Sequence, residues 1–358
     1  MEVLILGAGV IGASVAYHLA ARGVRDIVVI DRAEDFGGGS TAKATGGFRV
    51  QFDNETEVRL SLLARAKLRA FEEEIGVDSG YRPHGYLFLA CNDVELDTLR
   101  AAQAVQHACG VSEARMISAG EARELSPAIS DDSIAGAAFC PTDGFIRPMN
   151  ILRGYVSAAQ RLGVRFELGV EHLGFRTEGD RVVAARTSRG EMAARVFVNA
   201  MGAWSGAPVM ALRRNVAATV ATDLLPESMP MTIWSGDWYH FRVRDGRVLL
   251  LWPDDPPVND WIEQVQAKTQ ARVPSVAALP IAETWSGMYE MSPDGRAIVG
   301  RSPALSNVYL ATGCSGHGVM HAPAIGQLVA ELVVDGRTLM DIEALRPDRF
   351  SLSSSLSS

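Results

Sequence analysis

Four consecutive apolar residues, Val3 to Leu6, run into Gly7-Ala8-Gly9-Val10-Ile11-Gly12, after which apolar positions recur at Val10, Ala13, Tyr17 and Ala20. The unbroken run predicts a buried strand, and the three-to-four spacing predicts a helix from Val10 to Arg22. A second run, Asp26 to Ile30, predicts a strand that stops at the acidic Asp31. Strand, glycine turn, helix, strand and acid therefore follow in order. In such a unit Gly7 permits the tight turn and Gly9 lets a pyrophosphate approach the helix N-terminus. Gly12 permits close helix-to-strand packing, and Asp31 accepts hydrogen bonds from ribose hydroxyls. The pattern predicts a dinucleotide site and does not separate NAD from FAD.

Beyond Asp31 the periodicity breaks. Residues 37–49 are rich in glycine and hydroxyls, too polar for a core, and read as a loop making a second set of ligand contacts. Helical spacing returns from Asn54 to Ile75, with Asn54 as N-cap and Glu57 three residues on, the spacing of a capping box. A strand at 85–90, a helix at 94–109 and a strand at 134–139 follow, closed by the turn Pro141-Thr142-Asp143-Gly144. A helix at 150–162 precedes short strands at 164–168, 171–177, 181–187 and 193–199. From 215 to 252 strand-like runs (216–222, 238–243, 247–252) are separated by Leu225-Pro226 and Asp245-Gly246, which predicts an antiparallel sheet. A helix at 258–271 and a strand at 281–289 come next. The turn Ser292-Pro293-Asp294-Gly295 then leads through 297–300 and 308–311 into a second glycine-rich corner, Thr312 to Met320, which opens a helix over 316–334. The serine-rich stretch 351–358 reads as a disordered tail, and no fixed-period repeat is present.

Composition narrows the function classes. At 358 residues the chain has room for two domains, and 47% apolar with 21% charged residues is ordinary for a globular protein. A net charge of −8 argues against nucleic acid or an anionic membrane as main partner. No run reaches the roughly 18 apolar residues of a spanning helix, and the start lacks a signal-peptide pattern, so the expectation is a cytoplasmic protein without a membrane span. The four cysteines, Cys91, Cys109, Cys140 and Cys314, have neither CxxC nor Cys/His spacing, so neither a metal site nor a disulfide framework is expected.

Several segments together carry a resemblance: Gly7 to Gly12 with Asp31, the Ser40 to Arg49 loop, Trp285-Ser286-Gly287-Met288-Tyr289-Glu290-Met291-Ser292-Pro293-Asp294, and Gly313 to Pro323. This set resembles the D-amino-acid oxidase superfamily of FAD-dependent oxidoreductases. Within it the chain is most similar to the branch of sarcosine oxidase β subunits, dimethylglycine and sarcosine dehydrogenases, and dye-linked L-proline dehydrogenase β subunits. Residues 44–52, 84–89 and 141–144 look especially like the last of these.

The resemblance implies an α/β fold. A Rossmann-like FAD-binding domain (1–84, 144–211 and 285–350) interleaves with an antiparallel-sheet substrate domain (85–143 and 212–284). It also implies that FAD is held by Gly7, Ala8, Gly9, Val10, Ile11, Gly12, Asp31 and Arg32 at one end. Ser40, Thr41, Thr45, Gly46, Gly47, Phe48, Val170, Ala200, Gly202, Trp204, Gly287 and Met288 follow. Gly313, Ser315, Gly316, His317, Gly318, Val319 and Met320 complete the set. A physical reason favours FAD over NAD here. The N-terminus of the helix after Gly316 stabilises negative charge growing on a reduced flavin, and NAD has no need of such a second corner.

Members of this family pass the α-hydrogen of an amino acid to flavin as hydride and release an imine. That chemistry asks for orientation, an unprotonated amine and a positive group for the carboxylate. Arg49 suits the carboxylate or a flavin-supporting role, and Tyr239 and His240 lie on a strand expected to line the substrate face. His317 is expected to orient its loop. Departures matter as well. Gly287 stands where monomeric sarcosine oxidases have the flavin-linked cysteine, so non-covalent FAD is expected. Met320 replaces their carboxylate lysine and Phe52 their second arginine, and residues 247–252 hold no lysine for oxygen activation, which points to a dehydrogenase. The segment between Trp204 and Trp238 is short, leaving the flavin more open or completed by a partner subunit. Three readings stay open: a dehydrogenase of L-proline, sarcosine or a similar N-substituted amino acid; a D-amino-acid dehydrogenase; and an FAD-binding subunit of a heteromeric enzyme with a structural or relay role. Homo- and hetero-oligomers are both compatible with the sequence.

Overall fold

Why the first strand is apolar at every position is clear from its place in the sheet. The computed structural model describes residues 1–254 and 256–350. Strand Val3–Leu6 lies inside a six-stranded sheet, parallel to Ile27–Asp31 on one side and to Val196–Asn199 on the other. The sheet continues through Val308–Thr312 to Ile298–Arg301 at one edge, and ends with Arg165–Leu168 at the other; only Ile298–Arg301 is antiparallel to its neighbour. Both faces are covered. Val3, Ile5, Ile27 and Val29 pack under helices Val10–Ala21, Pro148–Arg161 and Gly318–Asp335. Leu4, Leu6, Val28 and Ile30 pack against the three-stranded antiparallel sheet of residues 172–192.

The second large sheet has eight strands, ordered Ile281–Met291, Met210–Thr219, Arg247–Leu251, His240–Arg244, Met231–Trp234, Tyr86–Ala90, Gly136–Cys140, Arg115–Ile117. Its pairs are antiparallel except one. Met231–Trp234 runs parallel to Tyr86–Ala90, joining two distant passes of the chain. One face, with Leu87, Tyr239, Phe241, Val248 and Leu250, is buried with Trp261 and Val265 of helix Trp261–Arg272. The opposite face carries Tyr86, Met231, Ile233, Val216, Leu249 and Leu251. The mixed α/β expectation holds, with parallel and antiparallel sheets side by side.

Details differ from the sequence reading for identifiable reasons. The strand expected from Trp238 begins at His240, because Trp238 adopts φ 61 in the turn after Trp234. The turn expected at Asp245-Gly246 is present, with both residues at positive φ as a tight hairpin requires. Strand Arg115–Ile117 and the short helix Ala119–Leu125, capped reciprocally by Ser118 and Glu121, escape the pattern through brevity. The capping box expected at Asn54 is half formed. Asn54 accepts from the Glu57 N–H at 3.0 Å, while the Glu57 carboxylate is buried with one oxygen unpartnered. The tail expectation at 351–358 falls outside the described residues.

Candidate active site

A cavity of about 980 Å³ runs from the first glycine turn, between the two large sheets, to the N-terminus of helix Gly318–Asp335. At its first end Gly7, Ala8, Gly9, Val10 and Ile11 form the wall with Asp31 and Arg32. Asp31 is already organised: its carboxylate accepts the Ala8 N–H at 2.8 Å and the Ala33 N–H at 2.9 Å. Gly12 lies behind this wall, where a β-carbon would meet the Gly7 carbonyl oxygen at 1.9 Å. The first helix therefore sits against its strand so closely that only hydrogen fits.

The loop expected to make a second set of contacts lines the cavity through Ser40, Thr41, Thr45, Gly46 and Gly47. It is fixed from the first helix and from the eight-stranded sheet. Thr41 Oγ1 accepts the Val10 N–H at 3.2 Å, Ser40 Oγ donates to the Met288 carbonyl at 2.7 Å, and Trp285 Nε1 donates to the Lys43 carbonyl at 3.0 Å. Arg242, unremarked in the sequence, donates to the Thr45 and Gly46 carbonyls at 2.8 and 3.0 Å and lies 3.5 Å over the Phe145 ring. Its signal was strand parity with His240. Val170, Ala200, Gly202 and Trp204 line the middle, with the Arg32 guanidinium 4.3 Å over Trp204.

At the far end Gly287, Met288, Ser315, Gly316, His317, Gly318, Val319 and Met320 close the cavity. Ser315 takes φ 48 and donates back to the Gly313 carbonyl at 3.2 Å. Half-buried Glu290 holds the corner, accepting from the Cys314 N–H at 3.2 Å and Thr312 Oγ1 at 3.0 Å. The Tyr289 ring fits over Gly316, where a β-carbon would lie 2.4 Å from it. Tyr289 and Glu290 stand in the segment that carries the resemblance, but the sequence reading gave neither a role.

Arg49 lies on the cavity wall with both terminal nitrogens engaged, Nη1 on the Gln51 carbonyl and Nη2 3.2 Å from His317 Nε2. Since an arginine only donates, His317 accepts at Nε2 and is neutral; burial and then Arg49 hold its pKa well below the ordinary range. The guanidinium also lies 3.9 Å over the Phe52 ring. His240 faces the cavity. Its Nδ1 donates to the Trp238 carbonyl at 2.7 Å, leaving Nε2 as an acceptor, and burial brings its pKa down to about 4.

Besides Gly12, three expected residues lie off the cavity wall. Tyr239, on the opposite strand face from His240, is fully buried among Trp234, Phe241 and Val265, its hydroxyl 2.8 Å from Thr269 Oγ1. A side chain on that face of the sheet cannot reach a substrate. Phe48 points into the first core, edge-on to Tyr81 at 5.5 Å. Gly313 sits behind the wall, against Ile298.

The residues present fit a flavin dinucleotide. The N-termini of two helices face opposite ends of one long cavity, and an acid stands ready at the nucleotide end. A family model described as "FAD dependent oxidoreductase" matches residues 2–332. The chain belongs to this family. FAD is its cofactor, and the family acts on amino-acid C–N donors. Among curated relatives, FAD-dependent oxidoreductase domain-containing protein 1 of Xenopus laevis is 27% identical over 94% of this chain and 79% of its own length. Glycine oxidase of Geobacillus kaustophilus is 26% identical, covering 95% of each chain. The 4-methylaminobutanoate oxidase (formaldehyde-forming) of Paenarthrobacter nicotinovorans is 26% identical over 98% of this chain, which spans 46% of that protein. A solved structure described as L-proline dehydrogenase from P. horikoshii superposes with TM-score 0.91 and 28% identity, covering 98% of both chains. No helix among the described residues is long and apolar enough to cross a membrane.

Proposed function

We propose that the chain is a dehydrogenase of an N-substituted amino acid, with L-proline the first candidate, holding FAD non-covalently and passing electrons to an acceptor other than oxygen. The observation that carries this reading is the likeness over 98% of both chains to the structure described as an L-proline dehydrogenase. The two-unit division given by the sequence belongs to the same proposal. When bound, FAD supplies the hydride acceptor.

The chain's own residues do the rest. Gly7 to Ile11 and Asp31 hold the nucleotide half, and the loop 40–47, pinned by Arg242, flanks the ring half. Neutral His240, with Nε2 free to accept, receives a hydrogen bond from the substrate amine and orients its lone pair, while a ring with a pKa of about 4 favours binding of the already unprotonated amine. His317 and Arg49 lock each other at the corner, which favours the supporting role for Arg49. Gly287 offers no thiol, and the Cys314 thiol, buried beside Glu290, is pushed well above the usual range and is a poor nucleophile; both support a non-covalent cofactor.

Anaerobic addition of L-proline, sarcosine and a panel of other amino acids to the yellow protein tests the reading. Bleaching of the flavin bands by an N-substituted amino acid is the expected result, and acid precipitation releases the colour to the supernatant. No bleaching by any amine, or colour kept in the pellet, overturns the corresponding half.

A further inference from the structure

Three arginines line the cavity, and their free hydrogen-bonding capacity differs. Arg32 lies over Trp204 at the nucleotide end. Arg49 has both terminal nitrogens engaged and one face against Phe52. Arg214 stands on strand Met210–Thr219, opposite Gly287 of the strand that forms the corner, and its side chain is only 16% exposed. Its Nη1 donates to the Asp254 carbonyl at 2.8 Å and lies 3.9 Å from Asp254 Oδ1. Its Nε and Nη2 have no hydrogen-bond partner among the described residues.

Asp254 is the unusual half of this pair. It is 2% exposed; Oδ2 accepts the Val258 N–H at 3.1 Å, while Oδ1 has no hydrogen-bond partner and faces the Arg214 charge. The residues before it, Trp252 and Pro253, line the cavity, so the loop bends from the cavity wall to hold one edge of the guanidinium from behind. Tyr289, over Gly316, lies in the field of both Arg214 and Arg49, which sets Arg214 at the ring end of the cavity.

We propose that Arg214 receives the carboxylate of the amino-acid substrate, Asp254 holding its inner edge so that the outer edge is free for a two-point contact. The inference rests on the amino-acid reading above and names the group that selects for the acid. A guanidinium with unused parallel donors in a half-buried cavity matches the planar geometry of a carboxylate. Its rotamer is already set by Asp254, so less freedom is lost on binding. Phe52 and Met320 bring no charge to the corner, and Lys43 is exposed. The arm comes instead from the sheet, two residues before Val216 on the same strand face.

The test uses the FAD-loaded protein and whichever amino acid bleaches it, compared with the carboxamide of that amino acid. Wild type is expected to require at least tenfold less of the acid than of the carboxamide for half-maximal flavin reduction. Arg214→Gln is expected to abolish that preference, with the loss falling more on half-saturation than on the limiting rate. Arg214→Lys, which keeps charge but not the fork, is expected to fall between them, and it also serves if the glutamine variant loses FAD. A wild type indifferent to acid against carboxamide, or variants that keep the wild-type preference, overturns the assignment of Arg214 while leaving the amino-acid reading intact. A wild type bleached by no amino acid overturns both.

Discussion

His240, on the cavity wall, and Glu57, in the core, are ionisable groups with opposite consequences. The His240 pKa is depressed to about 4 by burial, so the ring is neutral above that pH and charged below it. On the proposed reading, flavin reduction is independent of His240 ionisation from pH 5 upward and falls as pH drops through about 4. His240→Ala is expected to slow reduction by about tenfold across the neutral range, roughly the worth of one orienting hydrogen bond, measured by stopped flow. Glu57 is pushed up to about 7 by burial, a shift that Arg49 opposes but does not cancel, and its nearest base is His321 Nδ1 at 3.6 Å. A carboxyl raised in the native state binds more protons there than in the unfolded chain. Stability is therefore greatest below the unfolded value and is lost as pH rises through about 7. Glu57→Gln is expected to melt like wild type at pH 4 and to be more stable by about 3 kcal/mol at pH 8. Equal melting at both values would show that the carboxylate is satisfied when charged.

Between elements, one contact sensitive to volume is the crossing of the first and last helices. A β-carbon at Gly326 would lie 2.1 Å from Ser14 Oγ, so Gly326→Ala is expected to cost about 1 to 3 kcal/mol in urea unfolding. These two helices carry the N-termini at the opposite ends of the cavity, so the same variant should also weaken FAD retention. This crossing was not visible in the sequence, because a glycine in a helix looks the same whether it faces solvent or a neighbour. What was visible had a local cause. Val3 to Leu6 read as a strand because both faces are buried, and Asp245-Gly246 read as a turn because both residues need positive φ. Tyr239 failed for the complementary reason: parity on a strand separates 239 from 240, but only the sheet's environment tells which face meets the cavity. Likewise Glu57 had the spacing of a cap, yet the helix turns it inward beneath His321.

At the scale of the molecule, the cavity lies between two sheets that the loop at 40–47 and the strand Ile281–Met291 help to bridge. A ligand that binds the native state alone stabilises it in proportion to the logarithm of its concentration over Kd, about 4 kcal/mol at a thousandfold excess. FAD removal is therefore expected to lower Tm by several degrees and to expose the glycine-rich loop to protease first; an apoprotein as stable and resistant as the holoprotein would contradict a cofactor-held loop. The strand Ile281–Met291 carries a further consequence. It pairs along its length with the strand bearing Arg214, and at its end bridges Cys314 and supplies Glu290 to the corner. On the proposed assignment of Arg214, selectivity for what is oxidised and the surroundings of what oxidises it share one ribbon. Anyone redesigning the enzyme for a new amine would detune the flavin by editing residues 287–291, and has a freer hand at Ile233 or Trp238, whose strand and turn touch the same chamber without touching that corner.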